Sequence, residues 1–160
     1  MRLISACLCG INCKHNGGNN LNPYFLDLLR RGELIPVCPE QLGGLSTPRI
    51  ACEITGGTGA DLLKGHALAL TRDGKNVTAG LLKGARETLS IAVNAGIEEA
   101  IMKSRSPSCG NGFIYDGTFT GKLIDGEGVT TALLKQNGIR IWNEQEYLRE
   151  KGGGTASESS

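Results

Sequence analysis

The chain has 160 residues, 39% of them apolar and 21% charged, and its 17 Lys and Arg nearly balance its 16 Asp and Glu. That is one domain's length, enough to build a core without staples. The near-neutral charge argues against a general nucleic-acid coat or a membrane-surface binder, which need a basic excess, and no run approaches the roughly 20 apolar residues of a membrane helix.

Taken in chain order, Leu3-Ile4-Ser5-Ala6-Cys7-Leu8 reads as a first buried strand. Its flanks show no apolar leader or small-residue cleavage site, so a cytoplasmic setting is expected. Asn22-Pro23 supplies an N-cap and N1 for a helix through Arg31, which Gly32 closes. Leu34-Ile35-Pro36-Val37-Cys38 is a second strand. Pro36 cannot donate to a ladder, which an edge position or a strand start tolerates. Ala67-Leu68-Ala69-Leu70 is a third strand, before the turn Arg72-Asp73-Gly74. Thr78 is placed to cap a helix through Ala95 that turns Leu81, Leu82, Ala85, Leu89 and Val93 to one face, with Gly96 ending it. Glu99–Met102 is a fourth strand, Gly128–Asn137 a shorter helix closed by Gly138, and Ile139–Trp142 a fifth strand. Short continuous apolar runs alternating with helices predict an α/β domain over 1–151: a mostly parallel open sheet with helices on both faces, Rossmann-like. Residues 152–160, rich in Gly and Ser, read as a flexible tail.

Without a secretory leader the six cysteines, at 7, 9, 13, 38, 52 and 109, are expected to be thiols, metal ligands or reactive groups. Cys7 and Cys38 end the first two strands, and Cys109 lies in the loop beyond the fourth. Ligands of open parallel sheets bind at the carboxyl ends of the strands, so these three thiols are expected to converge. Convergent thiolates select zinc, copper(I) or an iron–sulfur cluster. Cys9 and Cys52 read as small buried hydrophobes. Glu40, two residues past Cys38, is either a proton-moving carboxylate or an exposed loop charge. Lys103 and Arg105 either offset a negative site or are solvated loop charges. The alternative function is a zinc-binding structural or nucleic-acid module on Cys7, Cys9, Cys13 and His15, although C-x-C-x₃-C matches no standard zinc knuckle. A thiol–disulfide enzyme would carry C-x-x-C, which this sequence lacks.

The stretches Ser5-Ala6-Cys7-Leu8, Pro36-Val37-Cys38-Pro39-Glu40 with Gly43-Gly44-Leu45, Pro48-Arg49, Ser106-Pro107-Ser108-Cys109-Gly110, Ile114-Tyr115-Asp116-Gly117 and Gly126-Glu127-Gly128-Val129-Thr130 resemble the thiouracil desulfidase family, in order and up to about Glu144. The resemblance implies removal of sulfur from thiolated uracil compounds without net redox change. It implies a [4Fe–4S] cluster on three cysteines matching Cys7, Cys38 and Cys109, an acid/base carboxylate matching Glu40, and an active-site serine matching Ser106. The implied substrate is a small thiolated pyrimidine or nucleotide, such as thiouracil or 4-thiouridine monophosphate. Thiolated tRNA, a substrate of longer fused members, is not favoured here. The sequence departs from the family where Cys9 stands for a usual Leu, His15-Asn16-Gly17 for Tyr-Asp-Gly, and Cys52 for Ala.

Overall fold

The computed structural model describes residues 1–152. The expected tail, but for Gly152, lies outside the described residues. Four short strands, β1 (Arg2–Ser5), β2 (Leu34–Val37), β5 (Glu99–Met102) and β8 (Arg140–Asn143), form a parallel sheet in the order β2-β1-β5-β8. Pro36 pairs in register with Ile4 on the edge strand β2, where its missing N–H costs no ladder bond on the open side.

Successive strand residues point to opposite faces, and both faces are apolar here. Ile4, Leu34 and Ile101 pack with Phe25 and Leu28 of α1 (Pro23–Arg30) and Tyr147 of α6 (Glu144–Lys151). Leu3, Val37, Ala100 and Met102 pack with Ala92 of α4 (Thr78–Asn94) and Leu134 of α5 (Val129–Gln136). The helices thus cover both faces, as the alternating pattern predicts, in a single α/β domain. Asn22 caps α1 by accepting from the Tyr24 N–H at 2.9 Å, and Gly32 takes the left-handed φ of 76° after its end. No helix among the described residues is long and apolar enough to cross a membrane.

The chain departs from expectation at several points. The first strand stops at Ser5, and Ala6–Cys9 form a 3-10 turn that Gly10 ends at φ 86°. The run at 67–70 does form a strand, β4 (Leu68–Thr71), but it lies outside the main sheet and pairs antiparallel with an unexpected partner, β3 (Cys52–Thr55). Thr78 is the first residue of α4 rather than its cap, because its Oγ1 accepts from the Ala69 N–H instead. The buried face of α4 runs through Leu81, Gly84, Ala85, Thr88 and Ala92, which leaves Val93 65% exposed. Short α2 (Pro39–Leu42) and α3 (Gly59–Leu63), the hairpin β6 (Phe113–Tyr115) and β7 (Leu123–Asp125), and α6 complete the described chain. A third core, with Ile54, Leu62, Leu81, Ile114 and Val129, joins the β3–β4 hairpin to α4 and α5.

Candidate active site

In the sheet order, β1 and β5 are neighbours although the chain visits β2, β3 and β4 between them. The connection from β1 runs outward to β2 and that from β5 runs the opposite way toward β8, which opens a crevice at the carboxyl ends of these two strands. A cavity of about 510 Å³ occupies this place, and Cys7, Cys38 and Cys109 all line it, with Cys13 and Cys52. The convergence expected from three distant segments is therefore realised. Ser5, the last residue of β1, ties the floor together by accepting from the Lys103 N–H at 2.8 Å.

Each thiol is placed by its local chain. Cys7 sits in the 3-10 turn and accepts a hydrogen bond from Asn20 Nδ2 at 3.3 Å. Cys38 is the N-cap residue of α2, and its Sγ donates to the Cys13 carbonyl at 3.8 Å. Cys109 lies in a loop fixed by Ser106, whose Oγ accepts from the N–H groups of Ser108 (3.1 Å) and Cys109 (2.8 Å). Ser106 thus lines the cavity as expected, but its observed work is to hold the cysteine loop.

The electrostatics separate the thiols into two groups. The neighbouring Cys13 thiol is the main influence that holds Cys7 (about 7) and Cys38 (about 6) below the ordinary thiol range. Asn20 and Lys103 add to this at Cys7, and the Gln41 N–H adds to it at Cys38. The cost falls on Cys13, whose own pKa is raised. Burial raises Cys109, and pushes Cys9 up to about 11 and Cys52 up to about 12. Two cavity thiols are thus disposed to be thiolates, the form that binds metal. Cys9 takes no part, since its Sγ turns into the core toward the Phe25 carbonyl at 3.9 Å. Of the alternative zinc set, Cys7, Cys13 and His15 line the cavity, while Cys9 turns away from it into the core. A [4Fe–4S] cube spreads its thiolates over different irons, so its ligands stand farther apart than those of one zinc. The donor set fits such a group: soft thiols, from separate segments, round one roomy cavity.

Glu40 is not a solvated loop charge. Its Oε1 accepts from Arg49 Nε at 2.9 Å and its Oε2 from Ser108 Oγ at 2.8 Å, and its side chain is only 13% exposed. Arg49 also donates to the Thr47 hydroxyl and to the carbonyls of Ser46 and Cys13, so one guanidinium links the Glu40 helix to the Cys13 loop. Neither Arg49 nor Ser108 was assigned a role from sequence. Arg49 stood in a motif, Pro48-Arg49, but its partner is set only when residues 43–51 fold back over α2. Lys103 pairs with Glu144 at 3.0 Å. Lys14, Arg72 and Arg105 line the cavity with no carboxylate partner among the described residues.

A parallel α/β domain that gathers thiols and a fixed carboxylate at its switch point has the build of an enzyme. The chain belongs to the 2-thiouracil desulfurase family, whose model matches residues 3–146. It is 48% identical over 146 residues to the uncharacterised protein YbbK of Bacillus subtilis (strain 168), covering 91% of this chain and 97% of that one. Its fold is similar to that of a solved [4Fe–4S]-dependent thiouracil desulfidase, TudS, with a TM-score of 0.82, 35% identity, and coverage of 98% of this chain and 97% of the other.

Proposed function

We propose that this chain holds a [4Fe–4S] cluster on Cys7, Cys38 and Cys109 and converts thiolated uracil compounds, thiouracil or 4-thiouridine nucleotides, into uracil compounds and hydrogen sulfide. The observation that carries this reading is the convergence of those three thiols and Glu40 on one cavity at the carboxyl edge of the sheet. The net change is thiocarbonyl plus water to carbonyl plus hydrogen sulfide, with no net oxidation. When bound, the cluster supplies an iron with affinity for sulfur and a Lewis-acid pull on the C=S carbon.

The protein's own groups do the rest. Glu40 Oε2, with Ser108 Oγ against it, takes the proton of the water that adds to the thiocarbonyl carbon. Arg49 holds the carboxylate in one orientation, so little rearrangement is needed as the proton moves. Ser106 Oγ accepts two backbone N–H groups and has its own hydrogen free among the described residues, so it donates to a polar atom of the pyrimidine. Lys14, Arg72 and Arg105 favour an anionic substrate and support the nucleotide as an alternative to the free base.

The test is anaerobic reconstitution, followed by iron and acid-labile sulfide analysis and a turnover assay on 2-thiouracil and 4-thiouridine monophosphate. Changing Cys7, Cys38 or Cys109 to Ser abolishes both iron content and turnover, while Cys13→Ala and Cys52→Ala keep the iron. A cluster-loaded protein that desulfurates neither compound overturns the reading.

A further inference from the structure

The chain has only seven aromatic residues. Tyr24, Phe25, Trp142 and Tyr147 are spent on the core beneath α1 and α6, and Phe113 is exposed. The other two, Tyr115 and Phe119, line the cysteine cavity. Phe119 is the unusual one. It lies in the β6–β7 loop at φ 59°, in the left-handed region that bulky residues rarely enter. Such a conformation persists only where the surroundings over-determine it, and it is characteristic of ligand clamps.

The surroundings here do so. Glu53, only 8% exposed, accepts from the N–H of Phe119 at 3.1 Å and of Gly117 at 2.9 Å through the same Oε1. Gly117, at φ 94°, lies so close to β3 that a Cβ on it would stand 2.6 Å from the Ile54 carbonyl. Asp116 Oδ1 closes the intervening turn by accepting from the Thr118 N–H at 2.9 Å. The Arg72 guanidinium lies over the Phe119 ring, 5.1 Å from its centroid. A buried carboxylate, a pressed glycine and a cation thus fix one phenyl ring at the cavity wall, and nothing in the fold's core needs that ring there.

We propose that Phe119 is the platform on which the pyrimidine ring of the substrate stacks, with Glu53 and Arg72 as the residues that hold it in position. This rests on the thiolated-uracil reading above and deepens it, because it says how the base is recognised whether or not a ribose phosphate is attached. Stacking on an aromatic face tolerates exchange of sulfur for oxygen, so substrate and product share the platform. A guanidinium over an aromatic ring is attracted by its π face, which here steadies the ring from one side. Arg72, which also lines the cavity, covers one face of the ring, and the heteroaromatic base takes the other.

The experiment is calorimetric titration of the cluster-loaded protein with uracil, beside steady-state kinetics on 2-thiouracil, iron content and thermal midpoint. Removing a base-stacking aromatic weakens binding by about 5- to 140-fold. Phe119→Leu keeps the apolar bulk and loses the π face, so it weakens uracil binding and raises KM within that range, with a smaller effect on kcat. Phe119→Tyr keeps wild-type affinity. Glu53→Ala repeats the effect of Phe119→Leu, and Glu53→Gln restores binding because its amide oxygen still accepts from both N–H groups. Wild-type affinity in Phe119→Leu overturns the platform, and so does an affinity loss that comes with loss of iron or a lowered thermal midpoint. A wild-type protein that carries the cluster yet neither binds uracil nor desulfurates thiouracil overturns the underlying reading instead.

Discussion

Glu40 accepts a hydrogen bond at each carboxylate oxygen, and substitution can separate its chemistry from this scaffolding. In Glu40→Gln the amide oxygen can still accept from Arg49, while the amide nitrogen donates to Ser108 Oγ, since a hydroxyl serves either way. The network therefore survives and the proton acceptor does not. Turnover is expected to fall by about 10²–10⁴ with iron content unchanged. Near-normal turnover in a fully loaded variant excludes Glu40 from the proton transfer. Much of this site was legible at the scale of single residues. Cys7, Cys38 and Cys109 follow apolar runs that become neighbouring strands, and Glu40 is carried along two residues behind Cys38. Arg49, Ser108 and Cys13 were not legible in these roles. Their partners, Glu40, Cys7 and Cys38, come from other segments, and nothing local distinguishes Ser106 from Ser108 in Ser-Pro-Ser-Cys. Glu53 is harder still, since the N–H groups it holds lie on another hairpin.

At the scale of elements, the strands of the parallel sheet announce themselves because burial on both faces demands unbroken apolar runs. The hairpins do so only at β4. In β3 the buried positions include Glu53, and β6 and β7 are three residues each, too short for an alternating pattern to show. In α4 the expected apolar stripe holds at Leu81 and Ala85, with Leu82 and Leu89 half-buried, but it also takes in Gly84 and Thr88 and leaves Val93 exposed, for a steric reason. Gly84 lets α2 lie directly on α4: a Cβ there would stand 1.9 Å from the Pro39 carbonyl, and one on Gly43 would stand 2.0 Å from the Gly80 carbonyl. These contacts seat the short helix that carries Glu40 and follows Cys38. Gly84→Ala must therefore move backbone rather than a side chain. Overpacking of this kind costs about 1–3 kcal/mol, and the displaced helix takes Glu40 and Cys38 with it. The expected result is a lower urea midpoint together with reduced iron loading and turnover. An unchanged midpoint with full iron contradicts the account of the crossing.

For the whole molecule, the proposed ligands divide the chain very unevenly. Cys7 and Cys38 follow β1 and β2, while Cys109 follows β5, after both the β3–β4 hairpin and α4 have intervened. A group bound at once by all three exists only in the folded arrangement, because unfolding scatters the thiols. Binding of that kind stabilises the native state by mass action, by about 3–4 kcal/mol when ligand exceeds its dissociation constant 100- to 1,000-fold. A domain of roughly 150–250 residues gains about 2–4 °C in thermal midpoint per kcal/mol, so loading is expected to raise the midpoint by roughly 6–16 °C. The gain must need all three ligands. Cys109→Ser, nearly isosteric and still near the Ser5 hydroxyl, leaves the cluster-free midpoint close to that of the wild type but abolishes the rise on reconstitution. Calorimetry under strict anaerobiosis, on loaded and cluster-free forms of both proteins, reads this directly. If the wild type melts at the same temperature with and without the cluster, the three thiols do not bind it jointly. If the Cys109→Ser protein still gains the full increment, Cys109 is not one of the ligands.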